Sequence, residues 1–469
     1  MYIEQLYTNC LAEAAYYIES NGEAAIIDPM REIEPYLSLS LKRNAKIKYI
    51  FETHFHADFV SGHIDIARKT GAEIIYGPTA SAAYQITVAE DCQEFPLGNI
   101  YIKLLHTPGH TMESSCLLVI DENGKEHAVF TGDTLFIGDV GRPDLAVKSD
   151  VSVEDLAGYL YNSINEKLMV LSDDIVLYPG HGAGSQCGKN MSTERVSTIG
   201  DQKRLNYALQ VGNKADFIKA VTNGLSSPPQ YFPKNANINK QGYDSIEVVL
   251  GRAEKALSTI EFCQAIQQNE IIIIDSRSAA IFSKGFVHGS VNIGLDGSFA
   301  VWLGTLVENL QIPILIVSES GKEQETALRM ARVGYENIVG HLDGGLEAWS
   351  SAGLEVKTIS NSCPVDFNNN PEAKSVIDVR NPAEYEDGHV KAAINLPLNT
   401  LPQELSGLDK SAVHYIYCKS GYRSMVASSI LKKNGFENIV NVKKGYEGII
   451  DTSKTCCCSK TMLSAQPVL

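Results

Sequence analysis

Over the first 180 or so residues, apolar positions gather in short runs at 15–19, 24–28, 47–51, 73–76, 100–105, 115–120 and 128–130, separated by polar and glycine-bearing turns. Runs of that length bounded by turn residues predict strands. Between them, 62–70 and 153–168 repeat their apolar residues at helical spacing, and a polar segment at 193–223 has the same period. Strands alternating with helices predict a layered α/β fold. The stretch from Ser226 through Pro228, Pro229 and Pro233, with an asparagine-rich run to Gly242, interrupts the pattern and predicts a domain boundary.

Beyond that boundary the chain repeats itself. Ile272-Ile273-Ile274-Asp275-Ser276-Arg277, followed by Gly285 and by His288 to Asn292, returns as Val376-Ile377-Asp378-Val379-Arg380, followed by Gly388-His389 and Asn395. Tyr335-Glu336-Asn337-Ile338-Val339 returns as Phe436-Glu437-Asn438-Ile439-Val440. Two tandem copies of one domain follow from this, each with continuous apolar strand runs that predict a buried parallel sheet. The expected domains are 1–245, 257–355 and 362–453, with 454–469 as a flexible tail that includes Cys456, Cys457 and Cys458.

Composition narrows the partners. The chain has 469 residues, 44% hydrophobic and 20% charged, which suits a soluble protein of several domains. Forty basic against 56 acidic residues leave a net charge of −16, which argues against nucleic-acid and anionic-membrane partners. The start Met1-Tyr2-Ile3-Glu4-Gln5 lacks a signal peptide's basic and apolar regions, so a cytoplasmic location is expected. The ten cysteines show no disulfide-like spacing and read as thiols, with Cys92, Cys116 and Cys263 as plain core residues.

Four polar signatures stand at the ends of apolar runs: His54-x-His56-x-Asp58, His106-Thr107-Pro108-Gly109-His110, Thr131-Gly132-Asp133 and Tyr178-Pro179-Gly180-His181. Four returns of His or Asp to strand ends point to a metal site. Their order resembles the metallo-β-lactamase superfamily, which implies an αββα sandwich with metal ligands on loops at one edge. Hydrolases of that superfamily usually carry a histidine for a second metal where this chain has Phe59, and a phenyl ring has no lone pair to give. Without that ligand His54, His110 and Asp133 are the expected primary set, with open positions that suit a single non-haem Fe(II). Persulfide dioxygenases, which the chain resembles, imply the same mononuclear iron at these matching positions. His56, Asp58 and His181 are expected behind the ligands, with His56 kept as an alternative ligand. Cys187, flanked by Gly184 and Gly188, resembles a thiol near the iron of persulfide dioxygenase–rhodanese fusions, as a relay or a pocket residue, its sulfur accessible. Arg142 either orients an anionic thiol or pairs with Asp144.

Both repeats resemble the rhodanese family. The second has its reactive loop, Cys418-Lys419-Ser420-Gly421-Tyr422-Arg423, ahead of a helical run. A helix N-terminus and nearby cations favour a thiolate at Cys418, glycine lets backbone N–H groups cradle an anion, and Arg423 adds a fork of donors. Four residues separate Cys418 from Arg423, one fewer than a tyrosine phosphatase needs. In the first copy Ser318 stands in the cysteine's place and Glu323 in the arginine's, so that copy is expected to be silent and structural, docking the outer domains. Together the resemblances imply oxidation of low-molecular-weight thiol persulfides by O₂ to sulfite, and transfer of sulfane sulfur through Cys418 to give thiosulfate, in a homo-oligomer. The alternatives are a glyoxalase II-type zinc thioester hydrolase and a non-enzymatic sulfur carrier or sensor.

Overall fold

The apolar runs of the first half form two six-stranded sheets. In the first, β1 (Tyr2–Thr8), β2 (Glu13–Ser20) and β3 (Glu23–Ile27) pair antiparallel, then β4 (Lys46–Phe51), β5 (Glu73–Tyr76) and β6 (Thr87–Val88) continue in parallel, in sequence order. In the second, β7 (Glu94–Leu97), β8 (Ile100–His106), β9 (Ser115–Ile120) and β10 (Glu126–Gly132) form a meander. Strand β11 (Val176–Pro179) joins β10 in parallel and β12 (Ser197–Thr198) closes the edge. This computed structural model describes residues 1–147, 151–225, 227–267, 270–369 and 375–451. The expected tail at 454–469, with Cys456 to Cys458, lies outside the described residues.

Side chains from both sheets interdigitate in one core that includes Tyr16, Phe51, Leu104, Leu117 and Phe130. The opposite face of the second sheet packs Leu118, Val129 and Leu177 against Ala157, Leu160 and Ile164 of the helical stretch that opens with α3 (Val153–Ser163). Helices α1 (Glu34–Arg43) and α2 (His63–Thr70) belong to the same unit, α2 against β4 and β5. The result is the expected αββα layering. The metal-motif loops leave the ends of β3, β4, β8, β10 and β11, so the sheets bring Asp28, His54, His110, Asp133 and His181 to one edge.

The polar segment at 193–223 holds two helices rather than one, α4 (Ile199–Leu205) and α5 (Lys214–Thr222). The break is at Asn206, whose amide nitrogen donates to the carbonyls of Phe136 (3.3 Å) and Asp139 (2.9 Å). The asparagine-rich run read as a boundary is a helix, α6 (Phe232–Gln241), with Pro233 in its first turn. Its Asn239 is 1% exposed and explains why the run is ordered. The amide nitrogen donates to the carbonyls of His56 and Phe59, both at 2.8 Å, and the amide oxygen accepts the Ser61 N–H at 3.0 Å. Tertiary hydrogen bonds thus override a poor intrinsic helix propensity.

The chain resolves into two compact units, Met1–Gly251 with Ala300–Gln311 and Ala327–Glu336, and Arg252–Phe299 with Ile312–Thr326 and the chain from Asn337 onward. Two segments of the first repeat therefore belong to the amino-terminal unit. There Arg31, 0% exposed, pairs with Asp65 at 2.6 Å and with Glu336 at 2.9 Å. The second unit holds two five-stranded, all-parallel sheets. Their strand orders are Ala256–Leu257, Ile338–Leu342, Ile314–Val317, Ile272–Asp275, Val291–Asn292, and Ser360–Ser362, Ile439–Val442, His414–Tyr417, Ser375–Asp378, Ile394–Asn395. Identical order confirms the repeat. Among the described residues no helix is long and apolar enough to cross a membrane.

Asn239→Ala leaves two carbonyls and one N–H buried without partners, and is expected to lower unfolding free energy by about 3 kcal/mol. Urea unfolding of the full chain measures it; an unchanged midpoint contradicts the role given to Asn239.

Candidate metal centre and sulfur-transfer loop

Strand β4 ends at Phe51, and the loop behind it buries His54, 2% exposed. Its tautomer follows from its neighbours. The Thr53 hydroxyl donates to Asp28 Oδ2 (2.8 Å), an acceptor only, so His54 Nδ1, 3.0 Å from the same hydroxyl oxygen, must donate to it. The Nε2 lone pair is left free. His110 reaches the same state by another route, its Nδ1 donating to the Arg142 carbonyl at 2.9 Å. Burial first, and then the neighbouring His56, push His54 well below the usual imidazole range, so it stays neutral.

Both Nε2 atoms face one carboxylate oxygen. Asp133 Oδ2 is 3.9 Å from His54 Nε2 and 3.5 Å from His110 Nε2, and it is buried with no hydrogen-bond partner. Donors held by one ion at about 2.1 Å stand about 3 to 3.4 Å apart, so a small inward shift would suffice. A buried carboxylate oxygen with two lone pairs aimed at it is unfavourable unless a cation sits between them. The expected set His54, His110 and Asp133 therefore converges and fits a metal ion. Backbone packs closely around it. A Cβ on Gly180 would lie 2.7 Å from Asp133 Oδ1, and one on Gly141 would lie 1.8 Å from the Asp133 carbonyl oxygen.

The other oxygen of Asp133 accepts from His181 Nδ1 at 2.7 Å, while His181 Nε2 donates to Asp58 Oδ2 at 2.8 Å. Burial opposes charge on this ring, but Asp133 and Asp58 outweigh it and raise His181 well above the usual range. Asp133 responds in kind: burial opposes its charge, yet His181 holds it well below the carboxylate range. His56 turns the other way. Its Nε2 lies 3.1 Å from Asp28 Oδ1 and 3.6 Å from Glu52 Oε2, and its ring packs at a tilt of 34° against Phe59 with centroids 4.4 Å apart. Burial opposes that charge too, but Asp28 and Glu52 raise His56 to about 9. His56 as an alternative member of the His54–His110–Asp133 set is not what the structure shows.

Two sequence expectations need correction, and one open alternative is decided. Cys187 is 1% exposed rather than accessible, and burial, then Asp58 and Asp133, push its thiol well up. It gathers with Asp58 and His181 instead of facing solvent. Arg142 forms a bidentate pair with Asp144 at 2.6 and 2.7 Å and donates to the Gln186 carbonyl at 3.1 Å. It is 3% exposed, so of its two expected roles the ion pair is the one seen. Of the cysteines read as core, Cys116 is buried, whereas Cys263 is half-buried and Cys92 is exposed.

In the second repeat the loop after Tyr417 runs into the helix Tyr422–Lys433, with Gly421 at its N-cap and φ of 112°. That left-handed turn, which glycine adopts freely, lets the Gly421 N–H donate to Cys418 Sγ at 3.1 Å. The Arg423 fork is taken up by Glu384, at 2.6 and 2.7 Å, rather than left free for cargo. Tyr422 donates its hydroxyl to the Gly294 carbonyl (2.8 Å), and Lys419 and Ser420 are exposed. In the first repeat the same turn is filled from within, because Glu323 Oε1 accepts both the Gly321 N–H (3.2 Å) and the Ser318 hydroxyl (3.3 Å).

The comparisons with known proteins agree with this architecture. Residues 8–181 match the metallo-beta-lactamase superfamily, and residues 258–352 and 364–452 each match the rhodanese-like domain. A probable hydroxyacylglutathione hydrolase of Schizosaccharomyces pombe is 34% identical over 166 residues, 35% of this chain and 60% of that protein. The mitochondrial persulfide dioxygenase ETHE1 of Homo sapiens is 27% identical over 212 residues, 44% of this chain and 75% of that protein. Identity thus runs higher to the hydrolase. A crystal structure of a metallo-beta-lactamase from Staphylococcus aureus subsp. aureus COL has a TM-score of 0.63 at 30% identity, covering 73% of this chain and 98% of that one. On these matches, and on the loops that bring two imidazoles and a carboxylate together, the chain belongs to the metallo-beta-lactamase superfamily and carries two rhodanese-like domains behind that fold.

Proposed function

We propose that this chain oxidises low-molecular-weight thiol persulfides with O₂ at a mononuclear ferrous centre, and that its second rhodanese-like domain joins sulfane sulfur to the sulfite formed. The observation that carries this reading is Phe59, buried against His56 where a second-metal ligand would stand, beside a set, His54, His110 and Asp133, whose ligand atoms converge and whose Asp133 Oδ2 has no hydrogen-bond partner. Iron held by that set supplies the redox chemistry that couples O₂ to oxidation of the terminal sulfur. The balance is R–S–SH + O₂ + H₂O giving R–SH, SO₃²⁻ and two protons. The protein's part is positional. Thr53 and the Arg142 carbonyl fix the two imidazole tautomers, and His181 fixes the Asp133 carboxylate.

At the second site Cys418 attacks the outer sulfur of another persulfide, the S–S bond breaks, and the thiol R–SH leaves. Sulfite then attacks the outer sulfur of the Cys418 persulfide, releasing thiosulfate and restoring the Cys418 thiolate. The Gly421 N–H, already 3.1 Å from Cys418 Sγ, steadies negative charge on sulfur in both steps. The silent first copy has neither the thiol nor a vacant turn.

A second reading, a zinc thioester hydrolase, is favoured by the higher identity to the hydrolase and by the Asp58, His181 and Cys187 group beside the first set. Against it stands His181, whose two nitrogens both donate to carboxylates. Metal analysis of anaerobically purified protein separates the two. One iron per chain is expected, and two zinc per chain would establish the hydrolase.

Asp133→Ala and His110→Ala are each expected to lose bound iron and persulfide-dependent O₂ uptake; a variant keeping full metal and full rate sinks the ligand assignment. Cys418→Ser is expected to retain O₂ uptake while the product, followed by chromatography of sulfur anions, changes from thiosulfate to sulfite. An unchanged thiosulfate yield removes Cys418 from the scheme.

A further inference from the structure

Beside His110 the amino-terminal unit has a pocket of about 290 Å³, walled by Phe55, Met112, Glu113 and Leu145 on one side and by α6 on the other. That volume lies at the small end of ligand pockets. Helix α6 contributes Pro233, Asn237 and Lys240, spaced so that they share one face. The helix is fixed there by Asn239, whose three hydrogen bonds go to the loop that carries His54 and His56.

Lys240 is the cation among the lining residues, in a chain whose net charge is −16. Its ammonium lies 4.9 Å from the centroid of the Phe55 ring, and among the described residues no carboxylate is within ion-pair distance of it. Glu113, the carboxylate of the pocket, is 8% exposed and accepts the Phe55 N–H at 3.2 Å, which holds it to the backbone. Arg142, the residue whose sequence position suggested anion binding, is committed to Asp144. An ammonium half-buried on an aromatic face, open to a pocket that reaches a metal ligand, is a receptor for the far end of a bound anion.

We propose that Lys240 is the specificity-determining residue of this pocket, and that the thiol carrying the sulfur is a compact one whose far end bears an anionic group, a carboxylate or a phosphate. The assignment rests on the persulfide reading for the name of the reactive end, but the recognition is of the other end and is measurable without turnover. Lys240→Met keeps the stem that covers Phe55 and removes the charge. Lys240→Glu reverses the charge.

The test is calorimetric binding to the full-length protein of unreactive S-methyl thioethers that differ in the far group: S-methyl-3-mercaptopropionate, S-methyl-mercaptoethanol, S-methyl-cysteamine and S-methyl-phosphopantetheine. The native chain is expected to bind an anionic member about tenfold more tightly than the neutral one, the size of one charge-assisted hydrogen bond. Lys240→Met is expected to erase that ratio, Lys240→Glu to favour the cysteamine compound, and Lys240→Arg to restore the native order. Which anionic member shows the Lys240-dependent gain decides between carboxylate and phosphate. Equal affinities across the native series, or a native preference that survives in Lys240→Met, overturns the assignment. The oxygenase reading fails separately, if no persulfide drives O₂ uptake while the Lys240-dependent binding order persists.

Discussion

The two oxygens of Asp133 are held to different tasks, and the amino-terminal site is built on that division. His181, itself clamped by Asp58, donates to Oδ1 at 2.7 Å and so orients the carboxylate. Oδ2 then points between two imidazole nitrogens whose other ring positions are already engaged by Thr53 and by the Arg142 carbonyl. Among the described residues Asp133 Oδ2 has no hydrogen-bond partner. In a buried, low-dielectric site that arrangement is stable only with a cation, so the fold is preorganised for metal before any metal arrives.

Phe59 changes this common scaffold in two ways. It withholds a nitrogen from the neighbouring position, and its ring covers His56, which then faces Asp28 and Glu52. Charge on His56 is favoured by the buried carboxyl groups of Asp28 and Glu52 beside it. The superfamily's first motif is thereby split. His54 turns its Nε2 toward Asp133, and His56 turns toward Asp28 and Glu52.

Much of this was legible in the sequence because the ligands occur where short apolar runs stop, and β-sheets bring such ends together. That placed His54, His110 and Asp133 among the candidates, and the resemblance to a known superfamily singled them out. Burial and pairing were not legible. Glycines around Cys187 suggested exposure, yet the Cys187 carbonyl accepts the Arg142 N–H at 3.0 Å and the segment folds inward over the site. Arg423 read as a free anion receptor, but Glu384 takes its fork, and of the two roles open to Arg142 the pair with Asp144 is the one formed. Helix α6 was hidden for the opposite reason. Prolines and asparagines read locally as a loop, and only hydrogen bonds to residues far away in sequence make Asn239 a structural residue.

The tandem rhodanese-like domains fill the same turn in two different ways. Both copies place a glycine N–H at the turn, and both need an acceptor there. In the second copy it is the sulfur of Cys418, and in the first it is the carboxylate of Glu323 reaching back from the following helix. In the first copy an internal carboxylate thus occupies the turn. The first copy also contributes packing. The helix Tyr422–Lys433 is buried without interruption from Ser424 to Lys432, and its Ser429 hydroxyl accepts the Asn292 N–H of the first copy at 3.0 Å. A helix buried on all sides has no amphipathic pattern to orient it, so its position depends on partners on both faces. The first copy supplies one of those faces, and through it the placement of the loop that carries Cys418.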